Sequence, residues 1–301
     1  MATDNFQIAI PYYATNRESG ELYLRRAIDS VVKQTQRNWT LFVVDDRSPI
    51  DGVEAFVRSF KDPRITYSRN EKNLGQAGNW NRCMELVDAP HFCILHADDE
   101  MKPGYIATML GYAEQFPDSA AIFCNADTID QHHAKVFSFV DLVKKGLTSS
   151  RVFHLEGDAG LARIMRGNFI ICPSVCYHRR LVGDLRFNTA NWHTIPDYYF
   201  WAHLLLNGRQ LTGVPDILFN YRRHSESGTD MVRKGTKIFE EEVGLYEFVE
   251  REARSRNMHR AAAVARSKTM IKLRTVYFML ADLRFARFDA ARAKLRFFRG
   301  I

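Results

Sequence analysis

Two short apolar runs that stop on paired aspartates constrain this chain more than any other feature. Leu41 to Val44 ends at Asp45-Asp46, and Phe92 to Leu95 ends at His96-Ala97-Asp98-Asp99. Four apolar residues in a row, without alternation, suit a strand covered on both faces, as in a parallel sheet packed between helices. The neighbouring segments agree. Phe6 to Ile10 reads as a strand ended by Pro11, and Leu24, Ala27, Ile28, Val31 and Val32 share one helix face. Val53 to Phe60 reads as a helix, Ile65 to Ser68 as a strand and Ala77 to Val87 as a helix. A helix led by Pro103, with Tyr105, Ile106, Met109, Leu110, Ala113 and Phe116 inside, precedes a strand over Ala120 to Cys124. Repeated strand-helix units of this length predict an α/β fold with a mainly parallel sheet.

The second half is less regular. Residues 131–152 carry few signals and read as a loop. Ala159 to Arg166 reads as a helix, Ser174 to His178 as a strand, and Tyr198 to Leu206 as an apolar helix stopped by Gly208. Beyond Tyr221-Arg222-Arg223-His224 the composition turns to long charged helical segments, with helices expected over 260–280 and 288–299. A boundary is therefore expected near residue 226.

Charge follows the same division. The net charge is +7, yet through Ser225 there are 25 Lys+Arg against 25 Asp+Glu, while residues 226–301 hold 17 against 10. From Arg251 onward the balance is 14 to 3. Such a tail favours an anionic partner, and a solvated helix face or a self-association surface stands beside that reading. In the last helix Ala291, Leu295 and Phe298 oppose Arg292, Lys294, Arg296 and Arg299, a pattern suited to an anionic membrane surface or to docking on a second subunit. No nucleic-acid motif accompanies the charge, so no nucleic-acid partner is expected. The apolar run Phe6 to Ile10 is too short for a secretory signal, and Asp282 and Arg284 interrupt the last apolar stretch well short of the ~20 residues of a membrane span. Five cysteines lack paired zinc spacing, so a reducing, cytoplasmic setting is expected, at most peripheral at the inner membrane face.

Ligands of open α/β sheets bind beyond the carboxyl ends of the strands. Two groups of carboxylates there repel each other, and any phosphate, unless a cation is bound, and hard divalent cations take oxygen ligands shared with phosphates. The inference is a metal-diphosphate site on Asp98 and Asp99, with Asp45 close by. Acids after strands also serve as helix N-caps, which is the plainer alternative.

At these residues the sequence resembles glycosyltransferase family 2, over roughly residues 6–225. The resemblance runs through Ile10-Pro11-Tyr12 with the helix carrying Arg26 to Val31, and Val43-Val44-Asp45-Asp46-Arg47-Ser48. It continues with Asn73-Leu74-Gly75 through Asn79 to Asn81, and Leu95 to Glu100 with Pro103. It implies an inverting enzyme of the GT-A fold: a Rossmann-like, mainly parallel sheet with flanking helices and, here, a C-terminal helical extension. The implied domains are a catalytic domain over 1–225 (nucleotide-sugar half 1–125, acceptor half 126–225) and a basic extension over 226–301. The donor is a nucleotide sugar, a UDP-sugar by expectation, contacted by Pro11, Tyr12, Asp45, Asp46, Asn73, Gly75, Asn81, Asp98 and Arg222. The cofactor is Mn2+ or Mg2+, with Asp98, Asp99 and His224 as ligands.

The resemblance also implies a general base just before an acceptor-side helix, which points to Asp197 in Thr194-Ile195-Pro196-Asp197. The plainer reading is an acid favoured by the helix dipole. Arg222 and His224 are implied to approach the diphosphate, with a basic loop as the alternative. Asn168 to Ser174, Trp192 and His193 are implied on the acceptor side, where a saccharide or lipid-linked glycan would serve as acceptor. One departure stands out: His96 occupies a place where the family often has an acid, either as a metal or phosphate contact or as a hydrogen-bonded histidine at a strand end. Two other functions remain in view. One is a catalytically silent nucleotide-binding or scaffold protein. The other is a sugar nucleotidyltransferase, although the glycine-rich loop of that class is replaced by Pro11-Tyr12-Tyr13-Ala14. A dinucleotide oxidoreductase lacks its G-x-G-x-x-G.

Overall fold

The computed structural model of the protein describes residues 5–136, 149–223 and 235–301. They form two compact units: residues 5–136, 149–154, 170–187 and 209–223 make the first, and residues 155–169, 188–208 and 235–301 the second.

The first unit is built on a mixed sheet. In chain order it contains β1 (Phe6–Tyr12), α1 (Arg17–Val32), β2 (Trp39–Asp45), α2 (Val53–Arg58), β3 (Ile65–Arg69), α3 (Gly75–Leu86), β4 (His91–Ile94) and β5 (Glu100–Met101). There follow α4 (Tyr105–Gln115), β6 (Ser119–Ile129), β7 (Phe153–Leu155, at the border of the units), β8 (Val175–His178), α6 (Arg179–Val182) and β9 (Gln210–Arg222). The strand order is β3-β2-β1-β4-β8-β6-β9-β5, with β7 on β9. Strands β3, β2, β1 and β4 run parallel, as do β6 and β9, while β8 and β5 run antiparallel to their neighbours. The apolar runs are buried as expected: Leu41, Val43, Val44, Phe92, Cys93, Ile94 and Leu95 are all inside, with Leu24, Ala27, Ile28 and Val31 of α1 packed in the core.

Strand β1 does not end at Pro11. It continues to Tyr12 in register with Asp45, because β4 leaves the pairing at Ala9 and the final stretch has only β2 beside it. That edge-like place tolerates a residue without an N–H. Strand β9 and the short β5 and β7 were not anticipated from the sequence; in β9, Gly213 and Pro215 interrupt the apolar alternation that would have announced it. All five cysteines are free and buried. Burial pushes the Cys93 and Cys124 thiols up to about 12 and Cys176 well above its ordinary range.

The second unit is helical, with α5 (Gly157–Met165), α7 (Pro196–Leu206), α8 (Lys237–Ser255), α9 (His259–Ser267), α10 (Thr269–Arg284) and α11 (Phe288–Arg299). The basic tail does not stand by itself: it shares this unit with segments 155–169 and 188–208. Specific polar contacts explain the grouping. The Tyr246 hydroxyl donates to the Met165 carbonyl at 2.6 Å, and Thr194 donates through its N–H and hydroxyl to Glu241 at 2.7 and 2.8 Å. The Asp158 carboxylate accepts from the N–H groups of Arg260 and Ala261 at 2.9 and 2.7 Å, capping α9 from a distant segment. The helix expected over 260–280 is two helices, because Lys268 adopts a left-handed conformation (φ 49°) between them. Its ammonium pairs with Glu247 at 3.0 Å, which holds the break in place.

Asp158→Ala removes two hydrogen bonds at a helix start. It is expected to lower stability by about 1 kcal/mol, read as a lower urea midpoint with an unchanged slope.

Candidate functional site

The strand order explains why the acidic pairs share an edge. From β1 the chain moves outward through β2 to β3, then returns to the other side of β1 as β4. The strand order reverses there, and in open α/β sheets the carboxyl ends of the strands at such a reversal are where ligands bind. Asp45 ends β2 and Asp46 follows it on one side, and the turn from His96 to Asp99, between β4 and β5, lies on the other.

Asp45 is fully buried and held on all sides. One oxygen accepts from the Ser48 N–H at 2.9 Å and the Ser48 hydroxyl at 2.6 Å. The other accepts from the Tyr67 hydroxyl at 2.7 Å and lies 3.4 Å from the Arg69 guanidinium. Arg47, at φ 61°, turns the chain so that Ser48 folds back onto Asp45. Tyr67 and Arg69 in turn line a cavity of about 430 Å³ together with Ile50, Gly52, Val53 and Arg58. Asp46 serves a different purpose. Its carboxylate accepts from the Asn70 side chain and the Leu74 N–H, both at 2.8 Å, and its carbonyl accepts from the Asn73 side chain at 3.1 Å. Asn79, buried, donates to the Val44 carbonyl at 3.0 Å. This knot ties the end of β2 to the start of α3, where Gly75 takes φ 71°.

Across β1, His96, Asp98 and Asp99 place one ligand atom each within 4.8 Å of one another. Asp99 is buried; one oxygen accepts from the Arg222 N–H at 2.7 Å, and the other has no hydrogen-bond partner among the described residues. Burial and the adjacent Asp98 charge raise its carboxyl well above the ordinary carboxylate range. The His96 ring stacks on Trp80 at 5.1 Å, its Nε2 is buried without a partner among the described residues, and its Nδ1 lies 3.7 Å from Asp99. Burial lowers its pKa. His96 is thus seated by ring packing, not by the hydrogen bond that a plain strand-end histidine would make. An orphaned carboxylate oxygen and an orphaned imidazole nitrogen, beside a second carboxylate, suit a divalent cation such as Mn2+ or Mg2+.

Arg222, at the end of β9, organises this turn. Its guanidinium is buried and donates to the carbonyls of Asp98 (2.9 Å) and Asp130 (2.7 Å) and to the Glu100 carboxylate. Its contacts are therefore to the protein that carries the aspartates.

The other expected residues are distributed as follows. Pro11 lies within β1, and the Tyr12 hydroxyl is buried beneath Gly20 without a partner among the described residues; the exposed ring is that of Tyr13, at 52%. Asn81 clamps the backbone of Phe187, donating at 2.9 Å and accepting at 2.8 Å. Pro173 and Ser174 are buried, with the Ser174 hydroxyl donating to the Cys124 carbonyl at 3.0 Å. In the second unit, Asp197 stands in the first turn of α7 and accepts from Asn168 at 3.3 Å. Trp192 stacks on Tyr199 at 4.4 Å beside a separate cavity, and His193 is exposed. His224 lies outside the described residues. Tyr13, Tyr67, Arg69 and Glu100 are additions from the structure. Only Glu100 had a sequence cue, being next to the aspartates.

Arg222→Met leaves Asp99 and Glu100 without their buried cation. A stability loss of about 3–5 kcal/mol is expected, visible as a lower denaturation midpoint.

With this geometry in place, the comparisons with known proteins are specific. The sequence profile of glycosyl transferase family 2 matches residues 8–157. An uncharacterized glycosyltransferase of Methanocaldococcus jannaschii is 23% identical over 204 residues, covering 67% of this chain and 66% of that protein. The chain thus spans just under two thirds of that relative's length. Residues 1–349 of S. aureus TarS, solved in complex with UDP-GlcNAc, match at TM-score 0.64 and 14% identity over 98% of this chain and 92% of that one. A mannosyltransferase of Pyrobaculum calidifontis, solved with GDP-Man and Mn2+, matches at TM-score 0.63 and 14% identity over 96% and 78%. These likenesses establish the GT-A fold. The aspartate edge lies inside the profile match, and by that stretch the chain belongs to glycosyl transferase family 2.

Proposed function

We propose that this protein is an inverting glycosyltransferase that moves a sugar from a nucleoside-diphosphate donor, a UDP-sugar, to an acceptor hydroxyl in glycan or polysaccharide synthesis. The observation that carries this reading is the acidic turn after β4, held by Arg222 with a partnerless Asp99 oxygen at the strand-order reversal. Asp98 and Asp99, joined by His96, would hold Mn2+ or Mg2+; His224 stays a candidate from the sequence alone. Such a cation supplies neutralisation of the charge that develops on the departing diphosphate.

The nucleobase belongs on the β2 side in this reading. Tyr67 and Arg69, which line the cavity there, and the exposed Tyr13 are better placed to touch it than Asp45, Asp46 and Asn73, whose polar atoms are engaged in shaping the loop. Pro11, Tyr12, Gly75 and Asn81 set backbone positions around the site. Arg222 acts through the turn that it orients, so it is a positioning residue. Asp197 is the general base. Its carboxylate takes the acceptor hydroxyl proton as that oxygen bonds to the anomeric carbon, and the bond from that carbon to the diphosphate breaks, inverting the centre. The acceptor is a saccharide or a lipid-linked glycan, and the enzyme works in the cytoplasm. Among the described residues no helix is long and apolar enough to cross a membrane.

The test pairs binding with turnover. UDP-sugars with Mn2+ are expected to raise the melting temperature and to release UDP slowly by hydrolysis. Asp98→Ala and Asp99→Ala should abolish the release and the metal dependence of the shift. Asp197→Asn should keep the shift but lower transfer to acceptor by about 10²–10⁴-fold. Binding without turnover, with any acceptor, would favour the catalytically silent reading. Turnover from a sugar 1-phosphate and a nucleoside triphosphate would favour the nucleotidyltransferase.

A further inference from the structure

The C-terminal helix pair α10–α11 has two apolar faces, and the described residues cover only one. On the inner side, Phe278 of α10 and Phe297 of α11 pack against Phe239 of α8 at 6.0 and 5.9 Å, and Ile271 and Ala291 are buried. The two helices are joined by a buried ion pair between Lys294 and Asp282 at 2.7 Å, and Arg287 reaches the other Asp282 oxygen at 3.0 Å. The hairpin is thus held to its own unit without help from its outer side.

The outer side should then be polar, as for a helix facing water, but it is not. Seven of the twelve large apolar side chains that lie exposed among the described residues fall between Leu273 and Leu295. Leu273, Tyr277 and Leu280 recur at helical spacing along α10. Leu283, Phe285 and Phe288 continue the patch around the turn, with Phe285 at 67% and Phe288 at 58% exposure. The flanking charge is mostly positive. Among the described residues, Lys272, Arg284, Arg292, Arg296 and Arg299 form no ion pair, and Asp282 is neutralised internally, leaving Asp289 as the only other acid between residues 269 and 301.

We infer that this face docks on an anionic phospholipid surface, with the apolar row from Leu273 to Phe288 entering the interface and the arginines meeting lipid phosphates. Charge chooses this occupant over the others. A second copy would bring the same unpaired arginines against one another. A nucleic acid would satisfy the arginines and leave a row of leucines and phenylalanines in water. Only an anionic bilayer offers negative charge above hydrocarbon. The inference stands apart from the proposed sugar transfer, since it needs neither donor nor metal.

Co-sedimentation of the full chain with phosphatidylcholine vesicles, with and without 30% phosphatidylglycerol, tests it. Pelleting is expected only with phosphatidylglycerol and should weaken with salt. The triple variant Arg292→Gln/Arg296→Gln/Arg299→Gln should bind about a hundredfold more weakly. Phe285→Ser/Phe288→Ser should bind at least about tenfold more weakly while keeping the melting temperature, since neither ring is buried. Absence of pelleting with either lipid would overturn the inference. So would binding that the serine variant leaves unchanged, which would show charge attraction to any polyanion. A dimer by light scattering that dissociates in the serine variant, without vesicle binding, would assign the face to a second copy.

Discussion

Arg222 reaches the acidic turn from the last strand of the first unit, 123 residues beyond Asp99 in the chain. A buried guanidinium is tolerated only when its donors are met, and here two carbonyls and a carboxylate meet them. The dependence runs both ways. Asp99 and Glu100 could not sit together at the end of a buried strand without that cation beside them. The turn, the short strand β5 that pairs with β9, and the inward aim of Asp99 are therefore one arrangement, which forms only when β9 has joined the sheet.

The same dependence explains what could and could not be read in advance. The apolar runs ending in Asp45 and Asp98-Asp99 were visible because burial on both faces leaves an uninterrupted hydrophobic signature. The positioning role of Arg222 was not, because an arginine beside another arginine and a histidine reads equally as a phosphate contact or a basic loop until the strand beneath it is known. Asp45 and Asp46 look equivalent in the sequence. One, the last residue of β2, faces Tyr67 and Arg69, while the other, just past the strand, anchors Asn70 and Asn73. Tyr12 and Tyr13 form a second such pair: Tyr12, the last residue of β1, is buried, and Tyr13, just past the strand, is exposed.

In the tail, periodicity located the helices but not the break at Lys268, which depends on Glu247 from another helix. Charge counting found the basic excess without showing how it is spent across the surface. Asp282 draws Lys294 inward and pairs with the half-exposed Arg287, so the outer arginines are the remainder. The domain boundary expected near residue 226 marks a real change in composition. The packing nonetheless groups the tail with 155–169 and 188–208, because the Asp158 cap and the Tyr246 and Glu241 contacts bridge segments far apart in the chain.

The buried cysteines at the sheet centre have a kinetic consequence. Cys93 and Cys176 face each other across β4 and β8, and the Cys124 sulfur lies 3.8 Å from the carbonyl of Ser174, just before β8. With these sulfurs buried, an alkylating reagent reaches them only after the strands part. The rate at which iodoacetamide consumes these sulfurs in native buffer therefore clocks the opening of the sheet beneath the aspartate edge.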